Sequence, residues 1–495
     1  MAQRIPIFYS ALLLTGVNLL LRLVGTTFQV YISGQIGPAG IGLLQLVMSV
    51  GSLAMVAGMA GIRTASMYLT AEELGRGKQK NVSRVLSGCF LYSALASAAS
   101  GGILFASAPW IAEKWIGNAA VVEALRLFAA FLPAVCLCGV MTGYYTAANR
   151  IAVLAIVEVA EQLFSMIITM LALNVWAGTD AARACQCVIL GSSTGTCLSL
   201  LLLILLRIRE HPQIGTQIPL RKRLLQSAVP LALADVVKSG INTTENLMVP
   251  KRLAQHPMTE NPLASFGVVS GMVFPVLMFP ACILFGLAEL LIPELARCSA
   301  AGSKIRISYL VKRSLKTAMI YGLLFSGFMY LLAEPLCIRL YDNTEAGYYL
   351  KLYSLLIPML YCDALTDAMT KGLGQQKACV RYNILTSALD VIFLYILLPR
   401  YGMDGYFFSF LVTHLVNFLL SLRRLMKISG ETIPLYIPIL SCSAGIIAGF
   451  GASHISGNAG KCIAYAGLVF SLLYFMRIIG KEDFRWLKGL ITGKG

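Results

Sequence analysis

The stretch GVNLLLRLVGTTFQV, residues 16–30, carries a single charge, Arg22, in a run from Pro6 to Ile32 that is otherwise uncharged and mostly apolar. A helix rises 1.5 Å per residue, so about 20 such residues cross the roughly 30 Å hydrocarbon core of a bilayer. An arginine there is unfavourable unless it looks onto protein or water. It has polar company. Thr15, Asn18, Arg22, Thr26 and Gln29 are spaced by 3, 4, 4 and 3 residues, which puts them on one face of a helix. A striped helix of this kind needs neighbouring spans to shield it from lipid.

Composition supplies them. The 495 residues are 57% hydrophobic and 13% charged, against about 25% charged in soluble domains. Apolar runs recur over 6–32, 41–61, 85–109, 124–147, 151–177, 184–206, 225–249, 266–293, 317–333, 347–370, 378–398, 405–422, 433–452 and 460–476. The chain therefore reads as an all-α polytopic membrane protein of about 14 spans, or 12 if the shortest polar breaks are not connections. The first run is too long for the core of a secretory signal and ends in no small-residue cleavage site, so it is expected to stay as a span.

Lysine and arginine collect on the cytoplasmic side of membrane proteins. With the N-terminus inside, the inner connections and adjoining span ends hold 29 of the 40 Lys and Arg and the outer ones 9, while Arg22 and Lys238 lie deep within spans. This bias predicts an even number of helices, both termini cytoplasmic, in the cytoplasmic membrane. It also accounts for the net charge of +17 by basic loops beside anionic lipid, with no nucleic acid among the partners. Two Cys-x-Cys pairs, Cys136/Cys138 and Cys185/Cys187, lie in spans with no histidine nearby and read as packing residues.

The sequence also repeats. A shift of 225 residues pairs Gly42 with Gly267, Gly61 with Gly286, Ala71 with Ala296, Gly77 with Gly302, Ser83 with Ser308, Leu127 with Leu352 and Pro133 with Pro358. Six spans per copy is an even number, so both copies enter the membrane in the same sense, and transporters of that build bind substrate between their halves. The expected organisation is an N-lobe over 1–208 with spans 1 to 6, a cytoplasmic basic linker over 209–223, and a C-lobe over 224–427 with spans 7 to 12. Residues 428–495 supply the last two spans and a cytoplasmic tail. The seventh span opens the C-lobe with its own stripe, Asp235, Lys238, Asn242 and Glu245, at spacings of 3, 4 and 3.

A guanidinium in a cavity of low dielectric suits bidentate contact with phosphate or carboxylate. Arg22, Asn18, Gln29, Lys238, Asp235 and Asn242 are thus the candidate contacts for an anionic headgroup. The intramembrane carboxylates Glu161, Asp363 and Asp367 are candidates for a coupling proton or sodium ion. The sequence holds no Gly-x4-Gly-Lys-Ser/Thr loop for ATP and no histidine–cysteine cluster with metal-ligand spacing. Neither an enzyme nor a metal or cofactor site is expected.

Five segments then carry a resemblance: GIRTASMYLTAEELGRGKQKNVSRVL (61–86), EQLFSMIITML (161–171), PLALADVVKSGINTTENLMVPKRL (230–253), FPACILFGLAELLIPELARC (279–298) and KGLGQQKACVRYNIL (371–385). In order and spacing they resemble the polysaccharide-biosynthesis transporters of the multidrug/oligosaccharidyl-lipid/polysaccharide exporter superfamily, and within it the stage V sporulation protein B-like branch. The resemblance implies a MATE-like fold of two six-helix lobes plus two C-terminal helices. It implies alternating access and a lipid-linked saccharide or cell-wall precursor as cargo, with membrane lipids, sodium or protons, and glycan-synthesis enzymes as the partners to consider. Three positions depart from the pattern. Phe28 stands where lipid II flippases carry a second arginine, Arg63 where the superfamily usually has proline, and Ser165 where it has a basic residue.

The expected function is therefore that of a flippase or exporter that does not hydrolyse ATP. Two other readings stay open at this point: a cation-coupled multidrug exporter of the same superfamily, working through Glu161, Asp363 and Asp367, and a non-transporting membrane scaffold of a glycan-synthesis complex.

Overall fold

The computed structural model describes residues 4–75, 79–148, 150–178, 180–209, 220–431 and 436–480. The helices run in the order α1 (Arg4–Met59), α2 (Ile62–Gly75), α3 (Gln79–Trp110), α4 (Val122–Ala147), α5 (Ile151–Ala172), α6 (Ala181–Ile208), α7 (Leu220–Leu253) and α8 (Pro262–Gly267). They continue with α9 (Phe274–Met278), α10 (Ala281–Ala300), α11 (Lys304–Tyr341), α12 (Thr344–Ser354), α13 (Ile357–Gly372), α14 (Gln376–Ser429), α15 (Tyr436–Ser453) and α16 (Asn458–Phe475). Single π-helical turns occupy Ile111–Ile116, Leu173–Ala177 and Val268–Val273. No strand occurs among the described residues. Hydrocarbon offers no partner to a free N–H or C=O, and a helix satisfies both within itself.

Among the described residues, 8 helical stretches are long and apolar enough to cross a bilayer, or 9 with one bent pair counted as a span. Two of them hold two expected spans each. α1 contains 6–32 and all but the last two residues of 41–61, and α14 contains 378–398 and 405–422. The connections expected there are kinks at Gly37 (φ 70°, ψ 176°) and Gly402 (φ 58°, ψ −139°), conformations open to a residue without a Cβ. The tenth span is divided into α12 and α13, and the described part of α15 falls just short of spanning length.

The eighth span breaks at Phe279–Pro280, where its two parts meet at 65°. Pro280 has no N–H, and its ring obstructs the preceding turn. The carbonyls released by the break find tyrosines. Tyr361 donates to the Leu277 carbonyl at 3.2 Å and Tyr321 to the Pro280 carbonyl at 2.8 Å.

The 225-residue repeat is written in the backbone as well. Gly117 and Asp342 are left-handed residues that each end the third span of a half. Asn118 and Asn343 follow in extended conformation and cap the next helical turn, accepting from the Ala120 and Ala346 amides at 2.9 and 2.8 Å. Arg150 (φ −101°) and Gln375 (φ −99°) precede α5 and α14. Gly178 (φ 52°, ψ −131°) and Gly402 are one residue off this register and share one unusual conformation.

The chain divides into two compact units, 1–271 with 387–406, and 272–386 with 407–495. The first has a core in which Ile62, Leu69, Val85, Met141, Tyr145 and Leu203 are fully or almost fully buried. Tyr145 donates to the Leu203 carbonyl at 3.1 Å, and Ser66 to the Val140 carbonyl at 3.0 Å. In the second, Tyr465 is buried among Ala444, Ala448 and Val469 and donates to the Leu323 carbonyl at 2.8 Å. Also in the second unit, Lys312 pairs with Glu431 at 2.6 Å and Ser308 donates to the same carboxylate. Those hydrogen bonds, Lys312 first, hold the Glu431 carboxyl below the usual carboxylate range.

Within the first unit, the second arm of α1 crosses α8. A Cβ on Gly42 would lie 2.2 Å from the Leu263 carbonyl oxygen, and one on Gly267 would lie 2.0 Å from that of Pro38. The same shift of 225 relates Gly42 to Gly267 and Pro38 to Leu263. The contact is therefore reciprocal, with each glycine resting on the carbonyl that corresponds to the one above its own copy. Small residues of this kind let membrane helices approach backbone to backbone. Gly42→Ala and Gly267→Ala are each expected to force the crossing apart and to cost about 1–3 kcal/mol or more. Melting of the purified protein in detergent should fall for both and stay unchanged or rise slightly for Gly34→Ala, where nothing lies within 4 Å.

Candidate functional site

The stripe on α1 separates into two kinds of residue. Thr26 donates to the Arg22 carbonyl at 2.9 Å and Thr27 to the Leu23 carbonyl at 3.0 Å, so these hydroxyls are turned onto their own helix. Gln29 donates to the Gly271 carbonyl at 3.3 Å. Gly271 belongs to the π-helical turn after α8, where an i→i+5 ladder displaces carbonyls from the regular pattern. Gln29 therefore bridges two elements of its own unit. Arg22 has an exposed side chain. The Asn18 side chain lies outside the described residues.

On α7 the candidates Asp235, Lys238 and Asn242 are all exposed. No ion pair joins Asp235 to Lys238 among the described residues, although their i, i+3 spacing suggests one. The neighbouring Thr243 and Asn246 do the docking. Thr243 donates to the Ser49 carbonyl at 3.0 Å and Asn246 to the Ser49 hydroxyl at 2.8 Å. These two bonds fasten α7 to the second arm of α1 and leave Asp235 and Lys238 exposed.

The intramembrane carboxylates have local partners. Glu161 on α5 accepts from the Thr196 hydroxyl of α6 at 2.7 Å. Asp363 and Asp367 share one face of α13 but serve separate contacts. Asp367 pairs with Lys371 at 2.5 Å, whereas Asp363 accepts from the Asn417 amide at 3.2 and 3.4 Å. Asn417 is a polar partner that the sequence reading did not single out. It is nine-tenths buried, and its Oδ1 is without a partner. The available signal was the run Thr413, His414 and Asn417, polar at i, i+1 and i+4 inside an apolar span.

No group of three or more His, Cys, Asp or Glu side chains able to hold a metal ion occurs among the described residues. The four cysteines of the Cys-x-Cys pairs are buried and free. The letters GSSTG at 191–195 fit the hydrolase pattern Gly-x-Ser-x-Gly, but that motif works at a sharp strand-to-helix turn. Here it lies inside α6, where a Cβ on Gly191 would meet Thr169 Oγ1 at 1.9 Å and one on Gly195 would meet Ser165 Cβ at 2.9 Å. These glycines bring α5 and α6 together and present no nucleophile.

Residues 8–254 match the model of a family described as polysaccharide biosynthesis protein. The N-terminal half of the chain is thus similar to polysaccharide biosynthesis proteins. Among its curated relatives is stage V sporulation protein B of Bacillus subtilis (strain 168), 20% identical over 499 residues and covering 96% of each chain. Two solved structures share its fold. The lipid II flippase MurJ in an inward closed conformation has a TM-score of 0.73 at 15% identity, over 94% of this chain and 99% of that one. An inward-facing multidrug resistance MATE family transporter of the MOP superfamily has a TM-score of 0.65 at 14% identity, over 85% and 100%. The chain is thus a multi-pass, all-α membrane protein with the architecture of membrane flippases and exporters.

The Asp363–Asn417 hydrogen bond gives a direct energetic test. Asp363→Ala, Asn417→Ala and the double variant, compared by melting in detergent, should show a coupling of about 0.6–1.7 kcal/mol, the range of polar side-chain pairs in membranes. Strictly additive losses would mean that the two side chains do not interact.

Proposed function

We propose that the protein is a flippase that moves a lipid-linked oligosaccharide or cell-wall polysaccharide precursor across the cytoplasmic membrane by alternating access, without ATP hydrolysis and without enzymatic chemistry. Both termini are cytoplasmic in this reading. Residues 1–208 and 224–427 act as N- and C-lobes joined by the basic segment 209–223, and 428–495 adds two helices and a tail. The repeat-related backbone features and the bias of 29 inner against 9 outer cations support this arrangement.

The observation that carries the functional reading is the exposure of Arg22 within the apolar sequence of α1, and of Asp235, Lys238 and Asn242 on the polar-striped α7. A charge facing lipid at mid-membrane costs about 2.5–3.5 kcal/mol or more, so such side chains belong against a water-filled path. Two cations with hydrogen-bonding neighbours suit the pyrophosphate and sugar of a lipid-linked saccharide. Arg22 and Lys238 bind the phosphate, with Asn18, Asp235 and Asn242 contacting the remainder of the headgroup, while Gln29 holds α1 to the Gly271 carbonyl beside them. The family match and the likeness to stage V sporulation protein B support a saccharide-linked cargo. Sodium or protons acting through Glu161, Asp363 or Asp367 supply the coupling, and glycan-synthesis enzymes supply the cargo.

In proteoliposomes loaded with a fluorescent polyprenyl-pyrophosphate oligosaccharide, Arg22→Ala combined with Lys238→Ala is expected to slow translocation by about tenfold or more, corresponding to about 1.4 kcal/mol or more of lost headgroup binding. The double substitution Arg22→Lys and Lys238→Arg, which preserves charge, should retain most of the rate. Unchanged flipping in the double alanine variant would rule out this site.

A further inference from the structure

A cavity of about 710 Å³ lies in the first unit, among α3, α4, α6 and the π-helical turn Leu173–Ala177. Phe105 and Trp176 line it, together with Arg126, Arg183, Gln186 and Glu123. Local sequence explains why these side chains converge. Left-handed Gly117 ends the preceding π-helical turn and Asn118 caps the next turn, which sets Glu123 and Arg126 at the start of α4. Gly178 ends the turn that presents Trp176, and the Asp180 carboxylate caps α6 through the Ala182 amide at 2.9 Å, so Arg183 and Gln186 fall one turn apart on one helix face.

Both arginines remain available to a ligand. Arg126 reaches Glu123 at 3.4 Å and Arg183 reaches Asp180 at 3.6 Å, each within its own helix and with side chains 37% to 68% exposed. Pairs of this kind are weak. The Arg126 guanidinium also lies 5.2 Å from the Phe105 ring centre, and its Nε is buried with no hydrogen-bond partner. The depth of the cavity follows from its surroundings. Trp110, Trp115 and Trp176 are exposed at this end of the unit, and tryptophan collects at the level of lipid headgroups. Of only 9 cations in the outer segments, two meet in this cavity.

We propose that this cavity binds the phosphate of a membrane lipid headgroup, with Arg126 and Arg183 as its ligands and Trp176 and Phe105 as the walls for the attached glycerol or sugar. Guanidinium groups recognise phosphate oxygens bidentately, and the aromatic faces accept the less polar edge. A bilayer phospholipid and the lipid-linked saccharide carry the same phosphate chemistry and are the two sources. The site involves neither Arg22 nor Lys238, so it stands or falls apart from the transport reading.

Native mass spectrometry of the full-length protein in detergent tests it, with phosphatidylglycerol, a polyprenyl pyrophosphate, inorganic phosphate and phosphate-free diacylglycerol offered separately. The double variant R126Q with R183Q is expected to lose about tenfold of its retention of one or both phospholipid-type ligands, while R339Q, an exposed outer arginine elsewhere, retains them. Loss confined to phosphatidylglycerol identifies a bilayer lipid, and loss confined to the polyprenyl pyrophosphate identifies the cargo. The double variant R126K with R183K should retain lipid better than the glutamine pair. Equal retention by wild type and R126Q with R183Q would overturn the proposal. So would a parallel loss of diacylglycerol, or binding of inorganic phosphate alone.

Discussion

Two glycines made equivalent by the repeat, Gly42 and Gly267, meet so closely that a side chain at either would collide with backbone. A segment that meets its own repeat copy must carry residues compatible with themselves. Glycine solves that problem at the smallest separation. The remaining placement within the first unit follows from this approach. Gly271, one turn further on, packs its Cα against Ile41, and its carbonyl receives the Gln29 amide. α7 is then held to the second arm of α1 by the two hydrogen bonds on Ser49, which decides which of its polar residues are covered and which are not.

This distinction separates polar residues that dock one element on another from polar residues that stay exposed. Thr26, Thr27, Gln29, Thr243 and Asn246 spend their hydrogen bonds on backbone or neighbouring side chains. Arg22, Asp235, Lys238 and Asn242 are exposed. In a solvent that cannot hydrogen-bond, exposed charge has meaning only beside water or a polar ligand. The cavity lined by Arg126 and Arg183 near Trp176 is a second cationic feature, separate from Arg22 and Lys238.

Much of this was legible in the sequence because lipid imposes strong constraints. The apolar runs and the cation bias mark a polytopic helical protein, and the paired Gly42 and Gly267 already disclose the repeat. The kinks at Gly37 and Gly402 look like connections in the sequence, since a glycine with positive φ resembles any loop residue there. Asn417 was missed because a single buried asparagine reads as ordinary span polarity, and its partner Asp363 lies 54 residues away in the chain. Gln29 could not be separated from Arg22 by spacing alone. Both share a helix face, and only the arrival of the Gly271 carbonyl distinguishes an anchoring amide from an uncovered cation.

The most direct measurement is a cryo-EM map of the protein in nanodiscs containing a polyprenyl-pyrophosphate oligosaccharide. The account predicts headgroup density with its phosphates in contact with Arg22 and Lys238, on the uncovered sides of α1 and α7. Phosphate density held elsewhere, with both side chains facing lipid or buried in protein contacts, would contradict it.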